Sequence, residues 1–302
     1  MDLSLQLQDL RRISLPAGVQ ALPGNGGLPK LTIKNSQAEA EVYLQGAHVS
    51  AFQPKGQKPV LWMSAKSWFE PGKPLRGGVP ICWPWFGPHP SNSSLPGHGF
   101  ARLKPWTLTR AAQLPDGRTQ LCFQLRSGAQ TRQIWPDDFG LEYDVAVGTT
   151  LELALRVRNP GATPLKCDEA LHTYLAIGDA RRVGIRGLQG VDFIDKMNQG
   201  KLTRQTEETL NLTAETDRVY VDSTQICVVH DPVWNRTLRI AKKNSWATVV
   251  WNPWIKKAKA MPDFGDDEWP EMLCIETANA AQNALVLAPN AVHEMQADIG
   301  II

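Results

Sequence analysis

Apolar and polar residues alternate along much of this chain with a period of two. In the segment 151–158, Leu151, Leu153, Leu155 and Val157 fall on one face and Glu152, Arg156 and Arg158 on the other, the signature of a half-buried strand. Asn159-Pro160-Gly161 stops that run, and a second strand-like run follows. Similar short runs occur near 38–43, 105–110, 119–125, 141–148, 225–230, 236–241, 246–251 and 284–288, with turn signals such as Asp116-Gly117 between several of them. Convincing helical periodicity is scarce. Many short strands with polar punctuation predict an all-β sandwich or barrel rather than alternating β–α units.

The chain has 302 residues, and all-β domains of 200–250 residues or more form single units. No repeat, low-complexity tract or flexible linker divides it. The Pro- and Gly-dense stretch 71–105 carries Trp83, Trp85, Phe86 and Phe100, which suits a long ordered loop rather than a linker, and such loops often carry function. A formal net charge of +2 without a basic stripe argues against nucleic acid as a partner. The first nine residues carry Asp2 and Asp9 and no apolar core of a signal peptide, and no apolar run is long enough to span a bilayer. Five widely spaced cysteines form no C-x-x-C pair, so neither a disulfide framework nor a zinc site is expected; a cytoplasmic location fits reduced thiols. Eleven Trp against four Tyr and eight Phe fit either a sugar-stacking surface or a large aromatic core.

Four segments carry residue types that do chemistry. Arg76-Gly77-Gly78 is either a tight turn beside a surface arginine or an anion-binding loop. Gly97-His98-Gly99 presents a histidine between glycines, either an exposed functional ring or a loop histidine with no role, with Arg102 offering a second planar donor fork for phosphate or carboxylate. In 166–177, read as one strand, Leu171, Leu175 and Ile177 face one way and His172 and Tyr174 the other, so His172 lies in a polar cleft or is a hydrogen-bonded core histidine. Glu276 ends the apolar run Met272-Leu273-Cys274-Ile275, where it either reaches solvent or is buried with a purpose. The acidic stretch 263–268 lacks calcium-loop spacing and reads as a solvated loop.

Arg76-Gly77-Gly78-Val79-Pro80, the Trp-Pro-Trp-Phe-Gly run at 83–87, His98-Gly99-Phe100-Ala101-Arg102, Leu171-His172-Thr173-Tyr174, Thr216-Asp217-Arg218-Val219-Tyr220, Trp251-Asn252-Pro253-Trp254 and Ile275-Glu276-Thr277 occur in that order. Together they resemble the aldose 1-epimerase superfamily, and within it the glucose-6-phosphate 1-epimerase branch. The resemblance implies a galactose mutarotase-like fold: one domain over 1–302, a large antiparallel β-sandwich with its active site on the concave face. By motif, His172 corresponds to the general acid, Glu276 to the general base and His98 to an assisting histidine. Asp217 corresponds to the aspartate that holds a sugar hydroxyl, with Asp222 the competing choice. Arg76 and Arg102 fall at phosphate-binding positions, and Trp251, Asn252 and Asp263 at pocket-lining ones.

The implied reaction is mutarotation of a hexose 6-phosphate. A base takes the proton of the anomeric O1 hydroxyl while an acid protonates the ring oxygen O5; the ring opens, C1 turns about C1–C2, and the ring recloses. Glu and His, with ordinary pKa values of about 4.3 and about 6.5, suit those roles near neutrality. The chemistry needs no cofactor and no metal. The expected partner is a small-molecule substrate, with no membrane or nucleic acid and a monomeric chain. The competing functions are an aldose 1-epimerase acting on unphosphorylated sugars and a catalytically silent sugar-phosphate-binding protein.

Overall fold

The structure is a computed structural model that describes Leu10 and residues 13–302; the reading of the N-terminal nine residues as free of a signal peptide falls outside the described residues. The predicted alternation becomes sheet. Leu151–Arg158 alternates buried and half-buried positions, with its four aliphatic side chains at 0–1% exposure. It pairs antiparallel with Gly140–Val147 on one side and Val292–Ile301 on the other. These three strands form the middle of a nine-stranded sheet. Asp116-Gly117 makes the turn between Thr107–Gln113 and Thr119–Arg126 in the same sheet.

A second, eight-stranded sheet runs in the order Lys201–Arg204, Asp192–Asp195, Thr216–Val221, Ala247–Asn252, Met272–Asn279, Glu169–Leu171 and Ile81–Cys82, with Tyr174–Ala176 also paired to Met272–Asn279. The N-terminal strands from Val19–Pro23 to His48–Pro54 form a four-stranded meander, and Leu165–Cys167 pairs with Leu285–Leu287. Every pairing between these strands is antiparallel. The main hydrophobic cluster draws Leu121, Phe123, Leu153 and Leu155 from the nine-stranded sheet. It adds Leu171, Tyr220, Val250, Leu273 and Ile275 from the eight-stranded one, and Val42, Val49 and Phe52 from the meander. Burying each such side chain is worth about 1.5–3 kcal/mol against leaving it in water, so the face each strand turns inward is strongly fixed.

Met272–Asn279 departs from alternation because all eight of its residues are buried. Leu273 and Ile275 face the main core, whereas Met272 and Cys274 belong to a separate cluster on the opposite face with Trp62, Tyr174 and Phe264. Glu276 therefore sits mid-strand at 1% exposure, not at a solvent-reaching strand end. The segment 166–177 is not one strand: Glu169–Leu171 and Tyr174–Ala176 are separated by His172 and Thr173. The facing predicted for one strand still holds, since Leu171, Leu175 and Ile177 lie in the main core and Tyr174 in the opposite cluster.

Arg236 ties the two large sheets together at one end. It starts a strand of the nine-stranded sheet, donates to the carbonyls of Lys58, Pro59 and Ala176, and faces Asp231 with 3.7 Å between Nε and Oδ2. Both side chains are at most 4% exposed. No helix among the described residues is long and apolar enough to cross a membrane.

Candidate active site

The site is built by strand register on the outward face of the eight-stranded sheet. Leu171 pairs with Thr277 and Tyr174 with Cys274, so the interruption between the two short strands preserves one register and sets His172 opposite Glu276. The backbone bears this out: the Ile275 N–H donates to the Thr173 carbonyl at 3.2 Å. Directly opposed side chains on one face approach closely, and His172 Nε2 lies 3.3 Å from Glu276 Oε1. The next strands extend the rows: Glu276 pairs with Val249, and Cys274 pairs with Trp251, which pairs in turn with Asp217. One face thus carries His172, Glu276, Trp251 and Asp217, while the alternate positions Val250 and Ile275 feed the core.

The glycines of Arg76-Gly77-Gly78 hold this arrangement in place. Gly77 and Gly78 have φ of 120° and 59°. A Cβ on Gly77 would lie 2.4 Å from the Trp62 carbonyl oxygen, and one on Gly78 2.2 Å from that of Val49. With no side chain there, the segment runs against the His172 region, and the carbonyls of Gly78 and Pro80 accept from the N–H groups of Tyr174 and His172. The His172 ring stacks on Tyr174, with 4.8 Å between centroids and 10° between planes.

A cavity of about 260 Å³ opens over this face. His172, Glu276, His98 and Trp251 line it, as do Arg76, Arg102 and Asp217. Seven of the nine residues nominated by sequence therefore converge. Two do not line it. Asn252 is fully buried and structural: its amide donates to the carbonyls of Trp269 and Met272, and its oxygen accepts from Trp254 N–H at the start of helix Trp254–Ala260. Asp263 is 3% exposed, so the start of the acidic stretch is not a solvated loop. Its carboxylate takes Nε and Nη2 of Arg76 at 3.0–3.2 Å. Asp222, the competing choice for the sugar-binding aspartate, is outside the cavity and is engaged by Asn283 and Gln282.

The two arginines differ. Arg76 is neutralised by Asp263 and also donates to the Tyr174 hydroxyl at 3.0 Å. Burial works against its charge, but Tyr174 and Asp263 more than offset it and raise its pKa. Arg102 donates through Nη2 to the Gly97 carbonyl at 2.8 Å, while its buried Nε has no partner. No carboxylate among the described residues pairs with it, and burial followed by the like charge of Arg76 lowers its pKa. It is the cation most in need of an anion.

Sequence reasoning missed Lys196, Lys257 and Met261, which also line the cavity. Lys196 opens a single turn, Lys196–Asn198, capped by the Asp195 side chain. Its Nζ lies 3.4 Å from Asp217 Oδ1 and 5.1 Å above the Phe86 ring. A lysine in a short connection carries no motif, so only the fold reveals it. Phe86 was visible within the aromatic run at 83–87.

His98 has a left-handed backbone (φ 61°) and exchanges two hydrogen bonds with Gly87: its N–H donates to the carbonyl, and its Nδ1 accepts from the amide. That leaves the proton on Nε2. Burial, then Arg102 and His172, lower its pKa and keep the ring neutral. Burial, then Arg102 and Arg76, likewise push His172 well below the usual imidazole range. Glu276 is pushed well above the usual carboxylate range by burial, with Lys196 opposing. Both shifts favour the neutral forms, an imidazole and a carboxylic acid, over the imidazolium and carboxylate expected from sequence.

Above the usual carboxylate pKa of about 4.3 the unfolded chain releases a proton that folded Glu276 keeps, so the site loses stability as pH rises from there towards the raised folded pKa. Glu276→Gln removes that loss. The variant is expected to melt higher than the parent at pH 7–8, by roughly 1.5–2 °C per kcal/mol recovered in a chain of this length, with the gap closing near pH 4. Calorimetry across that range checks it; an equal or lower melting temperature at pH 8 would contradict the burial of a carboxylic acid here.

The aldose 1-epimerase family pattern matches residues 29–299. A Salmonella typhimurium protein is 39% identical over 265 residues, covering 87% of this chain and 88% of its own length. An Escherichia coli protein is 37% identical over 269 residues, 89% of each chain. Both carry the name "Putative glucose-6-phosphate 1-epimerase". The crystal structure of the Salmonella typhimurium "putative mutarotase (YeaD)" superposes with a TM-score of 0.89 at 34% identity, covering 96% of this chain and 95% of that one. The antiparallel sheets are those of the galactose mutarotase-like fold, and the chain belongs to the aldose 1-epimerase family of isomerases.

Proposed function

We propose that this protein is a cytoplasmic, monomeric, single-domain hexose-6-phosphate mutarotase that interconverts the α and β anomers of glucose 6-phosphate and related aldohexose 6-phosphates. The observation that carries the reading is the buried cross-strand contact between His172 and Glu276, 3.3 Å apart at a cavity that also holds an uncompensated arginine. Two proton-transfer groups in contact suit a reaction whose two oxygens, O1 and O5, are both bonded to C1. The names of the relatives support the phosphorylated substrate.

Phosphate and proton transfer are coupled in this mechanism. After burial, the positive field of Arg102 and Arg76 is what most disfavours a proton on His172, whereas Arg102 acts on Glu276 only behind Lys196 and Asp217. A phosphate dianion seated on Arg102 cancels that field mainly at the histidine. The proton then crosses the short contact from Glu276 to His172, giving the carboxylate that takes the O1 proton and the imidazolium that protonates O5. Asp217, held by Lys196, accepts from a sugar hydroxyl, and the Trp251 ring walls the sugar. His98 offers its Nε2–H to the developing charge. After ring closure on the other face of C1 both protons return, so the enzyme is regenerated without any other reactant.

Arg102→Ala tests the phosphate assignment. A hydrogen bond to a charged group is worth about 1.5–3 kcal/mol, so kcat/KM for glucose 6-phosphate is expected to fall roughly 10- to 150-fold. Turnover of free glucose should not fall, because removing Arg102 also relieves the field that opposes a proton on His172. Arg76→Ala, which also strands Asp263, should likewise raise KM for glucose 6-phosphate more than for glucose. Equal losses on both sugars with Arg102→Ala would favour an epimerase of unphosphorylated aldoses.

A further inference from the structure

We infer that His172, Cys274 and Glu276 form an inhibitory binding site for a thiophilic divalent cation of the zinc type at the floor of the cavity. Cys274 and Glu276 stand two residues apart on one face of Met272–Asn279, and His172 projects from the break between the two neighbouring short strands, opposite Glu276. Their donor atoms all lie within 4.8 Å of one another, and all three residues are buried. The 3.3 Å between His172 Nε2 and Glu276 Oε1 is close to the edge of a tetrahedron whose bonds are about 2.0–2.2 Å long. The remaining donors, His172 Nδ1 and Glu276 Oε2, are buried without a partner. One nitrogen, one sulfur and one oxygen, with a fourth position open towards the cavity, match the open coordination that zinc adopts.

The cation bonds to the Cys274 sulfur and a Glu276 oxygen as each releases its proton to solvent, while neutral His172 contributes a lone pair. Two positive charges arrive and two protons leave, so the net charge beside Arg76, Arg102 and Lys196 is unchanged. Cys82, fully buried on a flanking strand, is outside the group, and Cys274 itself does not line the cavity. An ion held there occupies both the proton acceptor and the proton donor, so inhibition is competitive with sugar phosphate. That inhibition rests on the mutarotase reading; occupancy of the site does not.

The test uses the chelator-treated full chain. Cd²⁺ is titrated while the sulfur-to-metal charge-transfer absorption is followed, and Zn²⁺ is titrated against turnover. Wild type should develop the band to one equivalent, and glucose 6-phosphate should suppress it. Cys274→Ser and Cys274→Ala should lose the band, keep basal turnover and require at least tenfold more Zn²⁺ for half inhibition. Cys122→Ser, which alters the one half-exposed thiol, should behave as wild type. A band that survives in both Cys274 variants, or zinc inhibition of equal strength in wild type and both variants, would overturn the site. If the protein turned over no sugar, the band alone would still decide whether the ion binds.

Discussion

Glu276→Gln is expected to lower kcat for glucose 6-phosphate by roughly 10²–10⁴-fold while leaving KM within a few-fold of wild type. Gln keeps the size and a hydrogen-bonding group at a position 1% exposed, so the buried volume stays filled. What disappears is the carboxylate proposed to take the O1 proton, and with it the proton that His172 receives across the 3.3 Å contact. His172→Gln should lose as much, and the double variant little more than either single one, because the two act as a unit. Anomerisation rates for the three variants check this. A Glu276→Gln enzyme within tenfold of wild type would remove the carboxylate from the mechanism, and additive losses would separate the two residues.

Arg236→Ala is expected to be the most destabilising single change outside the site, at about 3–5 kcal/mol, because it leaves Asp231 buried without its cation. The three carbonyls it joins would also lose their donor. The Asp231 carboxylate would keep only the amides of Gly178 and Trp234. A melting temperature lower by on the order of 10 °C follows for a chain of this length. Since Arg236 does not line the cavity, kcat measured well below the transition should match wild type. An unchanged melting temperature would mean that the pair does not fasten the sheets.

The sheet pattern was legible because burial on one face enforces a period of two. Leu151–Arg158, Arg236–Lys243 and Ala38–Tyr43 lie where alternation put them. The strands around the site were harder. Met272–Asn279 is buried on both faces, which erases alternation and made mid-strand Glu276 look terminal. The break after Leu171 is invisible in the sequence, because His172 and Thr173 keep the register of a continuous strand. Seven of the nominated residues line the cavity, and that Asp217 lines it while Asp222 does not emerges only once the strand pairing of Thr216–Val221 is known. Asn252 and Asp263 were misplaced because a polar residue beside pocket residues reads the same whether it lines a cavity or braces it. Asp263 braces Arg76, and Asn252 fixes the turn into helix Trp254–Ala260. Lys196 arrives from a connection distant in sequence, and no local pattern announces a side chain that only tertiary folding brings to the cavity.

The central claim is that this cavity hastens anomer exchange of a phosphorylated hexose. The direct measurement is to dissolve pure α-glucose 6-phosphate and, in parallel, pure α-glucose, and to follow each to anomeric equilibrium by rapid polarimetry with and without the wild-type protein. The account predicts acceleration of both, with the phosphorylated sugar far ahead at equal concentration. Relaxation of glucose 6-phosphate at its spontaneous rate, with the sugar phosphate nonetheless bound, would contradict it and leave a binding protein in its place.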